Sequence, residues 1–288
     1  MDELNTKPMN GNNSLAIIFT DLDGSLLDHN SYQFGPAHPL LGALEGIGIP
    51  VIPTSSKTCA EIVALRKLLT NRHPFISENG AASFIPKNYF TAPIAGSSLL
   101  NGFHCLSDCP PRQKWLSLLA ALQADFPNQF TYFFAQGSAG IEQLTGLNDE
   151  DAALANQRDY SEPVKWLGSK QQEQQFFAAI SSNGGVTQQG GRFITVSGDC
   201  SKGRALKLVT QLYQDQYPNK QIITIAIGDS GNDVSMLEAA DYALLIRSPL
   251  HDFPEMARSD KLLKSNLLGP AGWDEGVRTI LQQLNISL

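Results

Sequence analysis

The chain has 288 residues, 42% of them hydrophobic and 17% charged, so it can bury a sizeable core and lacks the make-up of a disordered polypeptide. A formal net charge of −7 gives no support for a nucleic-acid or membrane-surface binder, which would present a basic face. No apolar stretch approaches the roughly 20 residues that cross a bilayer, and the first 14 residues lack the basic start and apolar run of a signal peptide.

Residues 1–14 are therefore expected to form a disordered tail on a cytoplasmic protein. LAIIF (15–19) is a short apolar run that ends in TDLDGS, a buried strand feeding a tight loop. IPVIPT (49–54) repeats the pattern and ends in SSKT. From Thr58 to Leu69, Ile62, Leu65 and Leu69 recur at helical spacing, and Thr58 with Glu61 fits a capping box. PFIS (74–77) is a third strand, followed by the turn signal ENG. The segment 88–194 reads differently, with two amphipathic helices over 112–126 and 171–182 and the short strand-like runs FTYFF (130–134) and RFITV (192–196). The first pattern then returns. KGRALKLVTQLYQ (202–214) predicts a helix, and IITIAI (222–227) predicts a strand ending in GDSGND. A helix over 234–240, the strand YALLI (242–246) and a last helix carrying Trp273, Val277, Ile280, Leu281 and Leu284 complete the chain.

Strands buried on both faces and alternating with helices imply an α/β protein with a doubly wound parallel sheet. The reading divides the chain into a core of residues 15–87 and 195–288 and an inserted α+β cap of residues 88–194. The polar loops that matter all follow the carboxyl ends of core strands, where open α/β sheets bind ligands. Four cysteines, Cys59, Cys105, Cys109 and Cys200, offer no second pair to complete a zinc site near His104.

The chemistry starts at Asp21 and Asp23. Two carboxylates that close raise each other's pKa unless a cation neutralises them, and a hard divalent ion such as Mg2+ does so through oxygen ligands. One carboxylate can then attack phosphorus while the other exchanges protons with the leaving oxygen and with water. Asp229 and Asp233 stand four apart behind a second strand; they suit helix N-terminal capping, or a metal site shared with Asp21 and Asp23. Ser55 either caps a helix or bonds a phosphate oxygen, with Lys57 adding charge. Lys202 opens a helix, where its charge opposes the macrodipole; it is either an exposed lysine or a bridge between Asp21 and a phosphate.

Taken in order, strand-DxDG, strand-Ser, Lys and strand-GDxxND resemble the haloacid dehalogenase superfamily of phosphatases. The resemblance implies that Asp21 forms an aspartyl-phosphate and that Asp23 is the acid/base and a magnesium ligand through its backbone carbonyl. It further implies that Ser55 and Lys202 hold the phosphoryl group and that Asp229, supported by Asp233, binds the metal. Ser25 stands where Thr or Val is more usual. SSKTCAEI (55–62), PFISENGA (74–81), residues 144–166, GGRF (190–193) and GPAGWDEGV (269–277) look like the mannosyl-3-phosphoglycerate phosphatase family. That likeness implies a small phosphorylated sugar or glycerate substrate; the acidic charge and the lack of a spanning segment already point away from a nucleic-acid or membrane partner. Arg158 and Arg192 would meet a carboxylate, with Lys57 beside the phosphate, and Asn79, Gln143 or Glu162 would bond hydroxyls; each is otherwise a surface or salt-bridge residue. Trp115 and Trp166 either stack on a sugar or pack the cap. A general sugar-phosphate phosphatase, a glucosyl-3-phosphoglycerate phosphatase, a phosphomutase and a non-catalytic phosphate binder are the rival readings. The oligomeric state stays open.

Overall fold

The computed structural model describes residues 13–190 and 192–288. Its centre is a five-stranded parallel sheet in the order Leu262–Leu268, Tyr242–Arg247, Gln221–Gly228, Ser14–Thr20, Val51–Pro53. Alternation along Ser14–Thr20 explains why both faces are covered. Ala16 and Ile18 join Leu40, Leu44, Ile62, Trp273, Val277 and Ile280 in one buried cluster. Ile17 and Phe19 point the other way, into a cluster with Leu206, Val209, Tyr213, Met236 and Leu237. Helices His38–Gly46, Cys59–Leu68 and Gly269–Gln283 thus cover one face, and Lys202–Gln216 with Val234–Ala239 the other. The capping box at Thr58 and Glu61 forms as the sequence predicts.

Two antiparallel sheets accompany the core. The first has the order Phe75–Ser77, Ala82–Pro86, Phe103–Leu106, Ser98–Leu100 and is continued from the core through a Thr54–Ile76 bridge. The second, the cap sheet, has the order Phe130–Tyr132, Glu162–Trp166, Phe193–Ser197, Val186–Gly190. Helices Arg112–Leu122 and Lys170–Ser182 pack on the cap sheet through Trp115, Leu119, Phe176 and Ile180, against Val164, Ile194 and Val196. Trp115 is fully buried and its indole donates to the Tyr160 carbonyl, while Trp166 stacks on Phe130. Both serve packing.

The pairing runs across the boundaries read from composition. Phe103–Leu106 pairs with Ala82–Pro86 and Ser98–Leu100 with Phe103–Leu106, so residues 98–106 belong to the sheet that begins at Phe75–Ser77. Phe193–Ser197 lies wholly in the cap sheet. The apolar runs were legible; their pairing partners, distant in sequence, were not. FTYFF is strand only over Phe130–Tyr132 and then opens helix Phe133–Thr145, which with Asp149–Ala155 forms a small cluster of its own around Phe133, Ile141 and Ala152. The strand expected from Leu15 starts at Ser14; the rest of the expected tail, apart from Asn13, lies outside the described residues. Among the described residues no helix is long and apolar enough to cross a membrane.

Candidate active site

Register builds the site. In the core sheet Thr20 pairs with Pro53 on one side and Ile227 on the other. The next residues along each strand, Asp21, Thr54 and Ser55, Gly228 and Asp229, therefore leave the sheet side by side at its carboxyl edge. Trp273 of the last helix donates to Thr20 Oγ1 at 3.0 Å, and that hydroxyl donates to the Asp21 carbonyl at 2.8 Å. The GWDEG segment thus braces the strand that carries Asp21.

The Asp21, Asp229 and Asp233 carboxylates offer oxygens that all lie within 4.8 Å of one another. All three residues are buried. Lys202 is fully buried between two of them, with Nζ at 2.6 Å from Asp21 Oδ1 and 2.6 Å from Asp233 Oδ1. Burial alone would pull its ammonium down, but Asp21 and Asp233 together outweigh that and hold its pKa above the ordinary value. Burial pushes the Asp21 carboxyl well up, against the pull of Lys202. Burial, reinforced by Asp233, pushes Asp229 up to about 6. With one ammonium among three clustered carboxylates, the site is short of positive charge. That deficit, on hard oxygen donors, fits a divalent cation such as magnesium.

Close packing fixes these groups. Gly24 sits at φ +84°, and a Cβ there would stand 2.8 Å from Asp229 Oδ2. Asp233 has both oxygens engaged: Oδ1 takes Lys202, and Oδ2 accepts the Asp229 and Ser230 amides, each at 3.1 Å. Asp233 therefore shapes the GDSGND loop and seats the lysine as well as adding charge.

Asp23 stands apart from the acidic cluster. Its Oδ2 is 3.0 Å from Lys57 Nζ, and its buried Oδ1 has no hydrogen-bond partner among the described residues. Lys57 also reaches Glu61 at 3.7 Å; burial opposes its charge, and the two carboxylates more than restore it. Ser55 is buried, and its hydroxyl accepts the Lys57 amide at 3.2 Å. The sequence-predicted residues Asp21, Ser55, Lys202, Asp229 and Asp233 thus converge at one sheet edge.

The predicted substrate-side residues divide. Asn79 is buried beside the GDSGND loop, where its Oδ1 accepts Asn232 Nδ2 at 3.1 Å. Arg158 is buried at the core–cap junction: Nη2 donates to the Ser56 carbonyl at 2.7 Å and Nε to Ser161 Oγ at 3.1 Å, with Glu78 at 3.6 Å. Both groups have protein acceptors at the junction. Arg192 is exposed next to the cap hairpin, donating to the Thr145 carbonyl and lying over the Phe193 ring. Glu162 is fully buried inside the cap with Arg112 and the Phe134 amide, and Gln143 is exposed on helix Phe133–Thr145. Two residues escaped the sequence reading. His251 Nε2 lies 3.5 Å from Asp229 Oδ2, on a loop with no local pattern. Glu78 was read only as part of a turn.

Buried carboxylates, a serine and a lysine gathered at the carboxyl edge of a parallel sheet, beside an inserted cap, define a phosphoryl-transferring hydrolase of the haloacid dehalogenase class. Comparison with known proteins agrees. Residues 144–249 match the haloacid dehalogenase-like hydrolase family. A glucosyl-3-phosphoglycerate/mannosyl-3-phosphoglycerate phosphatase of Methanococcoides burtonii is 31% identical over 93% of this chain and 98% of its own. One of the same name from Persephonella marina is 31% identical over the same shares. A phosphatase of this superfamily from Bacteroides thetaiotaomicron superposes with a TM-score of 0.65 at 16% identity, over 97% of this chain and 98% of that one. The chain belongs to the haloacid dehalogenase-like hydrolases, in the family of these phosphoglycerate phosphatases, and is a phosphoric monoester hydrolase.

Proposed function

We propose that the enzyme hydrolyses mannosyl-3-phosphoglycerate to mannosylglycerate and phosphate through an aspartyl-phosphate on Asp21. The observation that carries the reading is the buried Lys202 shared by Asp21 and Asp233 beside Asp229, a site charged for a phosphoryl group and a divalent ion. Asp21 and Asp229 would hold magnesium, with the Asp23 carbonyl and with Asp233 in support. When bound, the ion supplies positive charge to the phosphoryl oxygens and relieves the carboxylate repulsion.

The residues divide the work. Ser55 and Lys202 hold the phosphoryl oxygens, and the fixed lysine stabilises the charge of the transition state without reorganisation. An Asp21 oxygen attacks phosphorus in line as the bond to the leaving oxygen breaks. Asp23 gives that oxygen its proton, from a carboxyl whose second oxygen is held by Lys57. Asp23 then takes a proton from water, whose oxygen attacks phosphorus and frees Asp21. Arg192 meets the glycerate carboxylate from the cap.

The relatives' names favour the glucosyl ester as the second reading. Phosphate release from the purified enzyme with magnesium, across mannosyl- and glucosyl-3-phosphoglycerate, glucose 6-phosphate, mannose 1-phosphate and 3-phosphoglycerate, tests it. A kcat/KM for mannosyl-3-phosphoglycerate at least tenfold above the plain sugar phosphates is expected. A flat panel would reject the substrate, and an isomerised sugar phosphate in place of free phosphate would reject hydrolysis.

A further inference from the structure

The turn Glu78–Gly80 joins strands Phe75–Ser77 and Ala82–Pro86, and both Glu78 (φ +48°) and Asn79 (φ +59°) are left-handed there. Two successive non-glycine residues in that region carry a conformational cost that the surroundings must offset. The contacts show what those surroundings are. The Glu78 amide donates to the Lys57 carbonyl at 3.0 Å, and the Asn79 amide to the Ser55 carbonyl at 2.9 Å. The Asn79 side chain receives Asn232 of the GDSGND loop. Gly80 lies so close to the Lys202 helix that a Cβ there would meet the Ser201 carbonyl oxygen at 2.2 Å. Three consecutive residues therefore touch three loops of the phosphoryl site, those that carry Ser55, Lys202 and Asp233.

The Glu78 side chain faces the cap instead, and it is fully buried. Its carboxylate accepts the Asp159 amide at 2.9 Å, the Tyr160 amide at 3.2 Å, and the Ser161 amide and hydroxyl at 2.8 and 2.6 Å. Successive backbone N–H groups converging on one carboxylate form an anion nest. The same short segment turns its carbonyls to the cap: the Asp159 carbonyl accepts the Arg112 amide at 2.7 Å and the Tyr160 carbonyl accepts Trp115 Nε1 at 3.0 Å. Residues 159–161 thus present their amides to the core and their carbonyls to a cap helix, and they run directly into the cap strand Glu162–Trp166.

We propose that Glu78 is a positioning residue: it is the fixed point about which the cap seats, and it ties that seat to the loops holding Ser55, Lys202 and Asp233. It touches no reacting atom. It acts by holding segment 159–161 in every cap position, so that a cap-selected leaving group meets the phosphoryl site in register. A phosphate ester too small to engage the cap does not need it.

The test compares wild type with Glu78→Gln, which keeps the shape but puts an NH2 group where acceptors are needed. Two readouts are taken. First, kcat/KM is measured with magnesium for mannosyl-3-phosphoglycerate and for p-nitrophenyl phosphate. The variant is expected to lose on the order of 10- to 100-fold on the sugar ester and to stay within about threefold on the aryl ester, with Glu78→Asp recovering part of the loss. Second, hydrogen exchange at the amides of 159–161 is followed with and without magnesium plus inorganic phosphate. Wild type is expected to protect them equally in both states, and the variant to lose that protection alone. An equal loss on both esters, an unchanged ratio, or protection that appears only with phosphate would overturn the proposal. If Glu78→Gln does not fold, Ser161→Ala removes one donor and must shift the ratio in the same direction. A wild type inert toward mannosyl-3-phosphoglycerate would sink the substrate reading alone; the ratio is then taken with glucose 6-phosphate.

Discussion

The core end of the site and the cap end are built by opposite means. At the core end the acidic cluster is buried and tied: Lys202 to two aspartates, Asp233 to two backbone amides, and Asp229 packed so closely on Gly24 that a Cβ there would press on its carboxylate. On the cap, Arg192 and Gln143 are exposed, and Arg192 is held by a single carbonyl and an aromatic face. A fixed, dehydrated cluster suits a reaction whose charge develops in one place. Exposed side chains suit recognition that is made and released with each turnover, and that can change between relatives without disturbing the chemistry.

The comparison breaks first at Asp21. Asp21→Asn removes the proposed nucleophile and should lower kcat on every phosphate ester by on the order of 10⁴-fold or more. Burial already disfavours the Asp21 charge, so the neutral amide should leave the melting temperature level or higher. Phosphate release and a thermal melt check both halves, and retention of more than a few per cent of activity would remove Asp21 from its role.

The next largest effect concerns metal and pH. Asp229 titrates at about 6 in the fold, above its ordinary 3.8, and Asp21 is raised as well. A carboxyl raised on folding stabilises the fold below its unfolded value, and that contribution is lost as pH rises through the folded one. For Asp229 the loss is about 3 kcal/mol, complete above roughly pH 7. Lys202 is raised as well, by its two aspartates, so its contribution holds to above the ordinary lysine range and does not enter. Magnesium should therefore raise the melting temperature of chelator-stripped protein by about 5 °C or more at pH 7.5 and by much less at pH 5. Calorimetry at the two pH values measures it, and an equal shift at both would count against the acidic metal site.

The smallest effect sharpens the cap side. Arg192→Ala should raise KM for mannosyl-3-phosphoglycerate two- to fivefold, about 0.5–1 kcal/mol as for an exposed ion pair. It should leave kcat and the melting curve unchanged. An unaltered KM would move carboxylate recognition to another residue.

The same division explains what the sequence disclosed. Asp21, Ser55, Lys202 and Asp229 were legible because each follows or opens an element whose apolar period is strong, and because buried charge has few reasons to exist. Lys202 stood out as a cation at a helix start, and the structure gives its partners. The cap was harder to read. Helix Phe133–Thr145 hid behind the strand-like FTYFF, and strand Phe193–Ser197 looked like an entry to the core because a period of two does not say which neighbour a strand pairs with. Arg158, read as a candidate ligand for a substrate carboxylate, stands 3.6 Å from the carboxylate of Glu78, on a turn 80 residues earlier in the chain. Long-range pairing of that kind leaves no local period.

The central position of strand Ser14–Thr20 has a consequence for how the molecule is made. One of its flanks pairs with Val51–Pro53 over three residues only, whereas the other pairs along its whole length with Gln221–Gly228. At a ribosomal rate of about 5–20 residues per second, roughly 8–35 s separate the synthesis of these two partners. Throughout that interval an apolar strand waits with one edge unpaired, and Asp21 at its tip has neither its lysine nor its neighbouring acids. The nascent chain is thus catalytically silent and adhesive at the same point, and both conditions end when strand Gln221–Gly228 docks.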